Sequence, residues 1–346
     1  MRSVWVAGSV NMDIVATAVR YPKLGETVLG RELFFFPGGK GANQAVAAAK
    51  LGARTALIGK IGTDAFGREL RHFLATENVC LTFLSDAADA HSGTALIAMA
   101  NAENAIIVVP GANALVSQRD VAAPPVGQGD VLVSQFEIPL STVRAFFSRA
   151  RFVGATTILN PAPAVDFDRD LLELVDILIL NETELGTIAG AEIREDDPEA
   201  RIIEVARTIQ TSESQTIAVT LGRRGAVAWA QGTGLSIPGE AVKCVDTTGS
   251  RRLLRRGGRC ADRARRADRP GARICKCGGI ALRAADGSRT VDADTHRSYG
   301  KIAPKLSPSS ACLKAAAICL KSFRRPCHAD PPNSNVAVRP FFGRNP

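Results

Sequence analysis

The sequence predicts an α/β fold with a central, mostly parallel sheet flanked by helices and a small β-sheet lid. Three observations carry this. From residue 130 onward short apolar strands alternate with helical segments. Before that, alternating strands cluster at 14–36 and 93–109 without intervening long helices. The chain of 346 residues then changes composition at Gly249-Ser250, so the fold is expected to lie in 1–249. Strands alternating with helices imply a parallel sheet covered on both faces, with ligands at the carboxyl ends of its strands.

Taken in order, residues 3–10 form a buried strand, and 14–36 hold alternating segments around a turn at Tyr21-Pro22-Lys23-Leu24-Gly25-Glu26. The loop Pro37-Gly38-Gly39-Lys40-Gly41-Ala42-Asn43 feeds a helix from Gln44, rich in Ala and stopped by Gly52. A strand at 55–61, a helix at 64–77 and lid strands at 93–99 and 104–109 follow. The alternation then runs through 130–134, 141–150, 156–159, 170–174, 176–180, 199–210, 216–220 and 226–230, with no internal repeat.

Composition sets limits on function. Hydrophobic content of 46% and charged content of 22% suit a globular enzyme. The first apolar run is too short for a signal peptide or membrane span, so a cytoplasmic protein is expected, with no membrane partner. The net charge of +9 is unevenly spread: residues 1–250 hold 21 Lys/Arg against 28 Asp/Glu, and 251–346 hold 22 against 6. Of eight cysteines, only Cys80 and Cys244 precede the seam. A nucleic-acid patch at 251–269 is disfavoured because no aromatics interleave the arginines. A zinc site at Cys260, Cys275, Cys277 and His296 is disfavoured because no paired C-x-x-C spacing occurs.

Several segments could carry chemistry, each with a plainer alternative. The Gly38–Asn43 loop could present free N–H groups to a polar or anionic ligand, or be a simple glycine turn; it lacks P-loop spacing. Asn11 and Asp13 could bind a ligand or cap a turn. Asn181-Glu182-Thr183-Glu184 could hold water around Mg²⁺, or be a capping box that starts a helix. Thr220-Leu221-Gly222-Arg223-Arg224-Gly225 could let a nucleotide approach the backbone.

Together, Gly8-Ser9-Val10-Asn11-Met12-Asp13, Gly38-Gly39-Lys40-Gly41-Ala42-Asn43-Gln44-Ala45, Gly62-Thr63-Asp64-Ala65-Phe66-Gly67, Asn160-Pro161-Ala162-Pro163-Ala164, Asn181-Glu182-Thr183-Glu184, Thr220-Leu221-Gly222 and Val245-Asp246-Thr247-Thr248-Gly249 resemble the ribokinase (PfkB) family of carbohydrate kinases in order and spacing. The resemblance covers 1–249 and implies a ribokinase-like fold and ATP-dependent phosphorylation of a sugar, D-ribose foremost. It implies sugar-binding roles for Asn11, Asp13, Gly39, Lys40, Asn43 and Glu137, and nucleotide-site roles for Asn181, Thr220 and Gly222. Glu184 would stand in the Mg²⁺ and phosphate environment, and Asp246 and Thr248 near an activating K⁺. It also implies a lid that can pair with a second subunit as a homodimer.

The resemblance stops at a defined point. The family continues as Ala-Gly-Asp, whose Asp is the catalytic base and whose N–H groups form an anion hole. Here the run is Gly249-Ser250-Arg251-Arg252-Leu253-Leu254, and no Asp stands there. Permitted codons for Ser250–Arg259, read one base later, can encode A-G-D-C-F-V-G-A-A-A. The expectation is therefore a frameshift near codons 249–250, leaving 250–346 as an out-of-frame basic tail, disordered or non-native, and the enzyme impaired. The alternatives are another sugar or nucleoside kinase of the family, a catalytically dead sugar-binding protein, and a basic-tail interaction protein.

Overall fold

The computed structural model describes residues 2–101 and 103–239. Asp246, Thr248 and the expected out-of-frame tail from Ser250 lie outside the described residues.

Two sheets organise the chain. Strands β1 (Ser3–Ala7), β4 (Arg54–Gly62), β5 (Leu84–Ala87), β8 (Val131–Gln135), β9 (Thr156–Asn160), β10 (Ile177–Asn181), β11 (Thr216–Thr220), β12 (Gly225–Ala230) and β13 (Thr233–Pro238) form the larger. Its order is β13-β12-β11-β10-β9-β8-β1-β4-β5. Every neighbouring pair from β5 to β11 is parallel, and β12 and β13 close one edge as an antiparallel hairpin. The smaller sheet has the order β3-β2-β6-β7, built from β2 (Asn11–Ala18), β3 (Gly30–Gly38), β6 (Gly93–Ala100) and β7 (Glu103–Val109).

Central strands of the large sheet are buried along all or nearly all of their length, the pattern of a sheet covered on both sides. On one face lie α3 (Gln118–Ala122), α4 (Leu140–Val153), α5 (Glu182–Ala189) and α6 (Glu199–Thr208), through Val121, Val143, Phe146, Leu185 and Ile202. On the other lie α1 (Lys40–Lys50) and α2 (Ala65–Thr76), through Ala42, Ala45, Ala48, Leu70 and Leu74. The alanines of α1 let it sit close over β1, β4 and β8. Helix α2 is capped by Asp64, which accepts from Gly67 N–H at 2.7 Å.

The small sheet is differently made. Its own cluster is Val15, Ala95 and Ile97, with Phe36 and Met99 against it. Every residue of β7 is exposed. Ile14 packs toward the core and Phe35 lies 6.0 Å from the ring of Phe66 in α2, which tethers the sheet at its base.

Two boundaries differ from the sequence expectation. The first strand ends at Ala7, and after only three intervening residues the chain enters the small sheet as β2. Helix α1 starts at Lys40, not Gln44, because Gly39 takes φ +90° and turns the chain directly from β3 into the helix. The segment expected at 226–230 is β12, but its hairpin partner β13 and the strand at 84–87, which pairs with β4, are not among the sequence expectations.

Candidate functional site

Because the strands run parallel, their carboxyl ends share one edge, and the registers place Ser134 beside Ala7, Asn160 beside Gln135, and Thr220 beside Asn181. The chain crosses from the large to the small sheet at this edge, through Gly8, Ser9 and Val10. The polar residues picked out by sequence meet there.

The crossing is lined with glycines because the backbones touch. A Cβ on Gly39 would lie 2.8 Å from Asn11 N and 2.9 Å from Ser9 O, and one on Gly41 would lie 2.6 Å from Ser9 N. One on Gly38 would meet the Asp13 carboxylate at 2.5 Å. Asn11 and Asp13 therefore stand at the root of β2, against the start of α1.

Glu137, just after β8, reaches the same place. Its Oε2 accepts from Lys40 N–H at 3.1 Å and from the hydroxyl of Ser9. Its Oε1 lies 3.3 Å from Lys40 Nζ. Ser9 Oγ also accepts from Gly41 N–H at 3.3 Å, so one buried serine joins the carboxylate to the first turn of α1. A carboxylate at the amino end of a helix is favoured by the unpaired N–H groups and the dipole. Asn43 lies in the same first turn, its N–H donating to Gly39 O at 2.9 Å. The arrangement offers an acceptor, a cation and amides on one small surface, the set needed to grip several hydroxyls at once.

Further along the edge, Asn181 and Glu184 form a capping box. Glu184 N–H donates to Asn181 Oδ1 at 2.8 Å, and Asn181 N–H to Glu184 Oε2 at 2.9 Å. The plainer alternative is thus realised, without excluding the other. Burial pushes the Glu184 carboxyl above its ordinary value, although Asn181 N–H and the charge of Lys40 pull it down. Thr220 Oγ1 donates to Leu180 O at 3.3 Å. Gly222 has φ +54° and open space where a Cβ would stand, which fits close approach of a ligand to the backbone.

Among the described residues no group of three or more His, Cys, Asp or Glu could hold a metal ion directly. Glu184, with one oxygen bound to backbone, fits a Mg²⁺ held largely through water. Sequence reasoning missed Ser9, although it lies inside the Gly8–Asp13 motif, and Asn113, which belongs to no motif singled out. Among the described residues no helix is long and apolar enough to cross a membrane.

A parallel sheet with polar groups gathered at its carboxyl edge, beneath a small sheet rooted in the same spot, defines a lidded α/β enzyme acting on a small polar molecule. Residues 1–250 match the pfkB family of carbohydrate kinases, and the chain belongs to that family. It is 36% identical over 250 residues to the ribokinase of Haemophilus influenzae, spanning 71% of this chain and 81% of that one. The ribokinase of Mus musculus is also 36% identical, over 254 residues covering 72% and 78%. Among solved structures, Arabidopsis thaliana ribokinase complexed with ribose and ATP superposes with a TM-score of 0.59 at 26% identity, covering 71% of this chain and 80% of that one. The chain is thus a carbohydrate kinase by family, and its fold is the ribokinase-like one.

Proposed function

We propose that this chain is built to transfer the γ-phosphoryl group of MgATP to the terminal hydroxyl of D-ribose, giving ADP and ribose 5-phosphate. The observation that carries the reading is the joined cluster of Asn11, Gly39, Lys40 and Glu137 at the root of the lid. The names of relatives agree with it, among them ribokinases of Haemophilus influenzae, Mus musculus and Bacillus subtilis, while deoxyribokinases of Salmonella at 32% identity depart in substrate.

In this reading Asn11, Asp13, Lys40, Asn43 and Glu137 hold the sugar hydroxyls, with Gly39 letting the ring lie against backbone. Asn181, Thr220 and Gly222 take the nucleotide. Bound Mg²⁺, near Glu184, would offset phosphate charge, and K⁺ near Asp246 and Thr248 would support the adjoining segment. The lid excludes water, which suits a reaction whose catalysis is mostly positioning and charge stabilisation. The exposed Leu33, Phe35, Leu96 and Ile107 of the lid suit pairing with a second copy, testable by sedimentation.

The polypeptide as encoded is proposed to be a poor catalyst. Its sequence has Ser250-Arg251-Arg252 where the family has Ala-Gly-Asp, and the family match ends at residue 250. Loss of a general base costs roughly 10²–10⁴-fold, and loss of anion-hole donors roughly 10²–10³-fold. A shift of reading frame near codons 249–250 is the proposed cause. An ADP-release assay with ribose, fructose, 2-dehydro-3-deoxygluconate and adenosine tests the reading. Expected is ribose-dependent turnover far below the ordinary ~1–100 s⁻¹, rising on deletion of one base at the seam. Ordinary turnover by the chain as it stands overturns the impairment, and a clean in-frame gene across codons 245–255 in independent reads overturns the frameshift. A second reading, a sugar-binding protein without turnover, is favoured by the complete Lys40–Glu137 cluster. Calorimetry showing ribose binding with no ADP release would establish it.

A further inference from the structure

Asn113 is 1% exposed and lies in the short helical turn Gly111–Leu115, just beyond lid strand β7. That turn is fastened to its surroundings: Ala112 N–H donates to His91 O at 2.8 Å, and Thr142 Oγ1 donates to Val116 O at 2.8 Å. The Asn113 side chain reaches across to the crossing between the two sheets. Its Oδ1 accepts from Val10 N–H at 2.9 Å. Its Nδ2 donates to Val10 O at 3.3 Å and to Asn11 Oδ1 at 2.7 Å.

The polarity of this chain of bonds is fixed at its start. A backbone N–H can only donate and a backbone C=O can only accept, so Val10 determines which end of the Asn113 amide is oxygen. The Asn113 NH₂ must then face Asn11, whose oxygen is used in receiving it. The NH₂ of Asn11 is therefore the end of its amide turned away from Asn113. The space around the pair is closed, since a Cβ on Gly93 would lie 2.1 Å from Asn113 Nδ2 and 2.2 Å from Asn11 Oδ1.

We propose that Asn113 is a positioning residue that locks the amide of Asn11 with its NH₂ toward the sugar, making that position a hydrogen-bond donor. The proposal rests on the sugar-kinase reading above. Its physical content is a selectivity: the site favours an oxygen able to accept at that point. An unlocked amide turns as readily to present its oxygen, and so loses the preference.

The test is titration calorimetry of the full chain with D-ribose and with riboses lacking one hydroxyl each. For the unmodified chain one deoxy sugar should bind on the order of tenfold more weakly than ribose. Asn113→Asp keeps the acceptor for Val10 N–H and removes the donor to Asn11. It should weaken ribose on the order of tenfold, abolish the penalty for that deoxy sugar, and leave ATP affinity unchanged. Lowering the pH until the introduced carboxyl is protonated should restore part of the selectivity, which a general loosening would not do. Asn11→Asp leaves Asn113 in place and puts an oxygen where Nδ2 stands; it should show the same loss of selectivity, and it decides the matter if Asn113→Asp does not fold. Unchanged deoxy-sugar selectivity in whichever variant folds, beside ribose binding by the unmodified chain, overturns the role of Asn113. Failure of the unmodified chain to bind ribose or any sugar in the set overturns the underlying sugar reading instead.

Discussion

The two sheets are opposite solutions to the same problem. The large sheet buries both faces: Leu132, Val133, Leu178 and Ile179 are each wholly inaccessible, and helices lie on either side. The small sheet has three buried hydrophobic residues of its own cluster and leaves Phe34, Phe35, Leu96 and Ile107 in contact with solvent. Stability belongs to the first, and adaptability to the second. The candidate site lies where one becomes the other, so rigid groups (Lys40, Glu137) and groups on the lid root (Asn11, Asp13) face each other across it. A surface that must open to admit a sugar is drawn from the weakly packed part of a molecule.

Substitutions can break or sharpen this contrast, and the largest effect is expected deep under the large sheet. Phe146→Ala removes a fully buried ring from α4 and should cost about 4 kcal/mol in denaturant unfolding. A loss near zero would mean that this helical layer is not packed as described. At the junction, Gly39→Ala forces a side chain onto φ +90° and against Asn11 N and Ser9 O. It should cost about 2 kcal/mol and abolish sugar binding by calorimetry. Ser9→Ala should spare much of the stability but weaken the sugar by about tenfold, because Glu137 loses the hydroxyl that holds it.

Asp64 offers a pH test of the lid's footing. Burial raises its carboxyl, but Ser92 N–H, the Ser92 hydroxyl and Gly67 N–H outweigh this and hold it below the ordinary value. A depressed carboxyl contributes stability that is present above its unfolded value and lost as pH falls through the lowered folded one. Asp64→Ala should therefore cost about 1.5 kcal/mol at neutral pH, and the gap from the unmodified chain should close in acid. A constant gap across that range would show that the charge is not what matters. The smallest effect is expected on the lid: Ile107→Ser, at an exposed position of β7, should change monomer stability by less than about 0.5 kcal/mol. Any larger loss that depends on protein concentration would locate a subunit contact there.

Much of this was legible in the sequence, for reasons that differ by region. The α/β alternation from residue 130 was plain because each strand is a short apolar run bounded by turn residues, and those runs became β8 to β11. The lid segments stood out because their strands lacked intervening helices. Lys40, Glu137, Asn11 and Gly39 were identified from resemblance, and the structure brings them together. What local pattern could not supply was pairing at a distance. Nothing in 11–18 or 93–100 announces that β2 and β6 run parallel, or that Gly93 faces Asn11. Asn113 was invisible for the same reason: its partners are about a hundred residues away, and a lone Asn after Gly-Ala has the appearance of an ordinary turn.

One consequence follows from the three-residue crossing between Ala7 and Asn11. Since that crossing is so short and Asn11 pairs with Gly38 at the mouth of α1, the inner end of the lid is pinned beside Lys40, and a swing of the outer strands would pivot above Asn11 without carrying it off. Opening would bare a hand already formed, and closing would only add a roof to it.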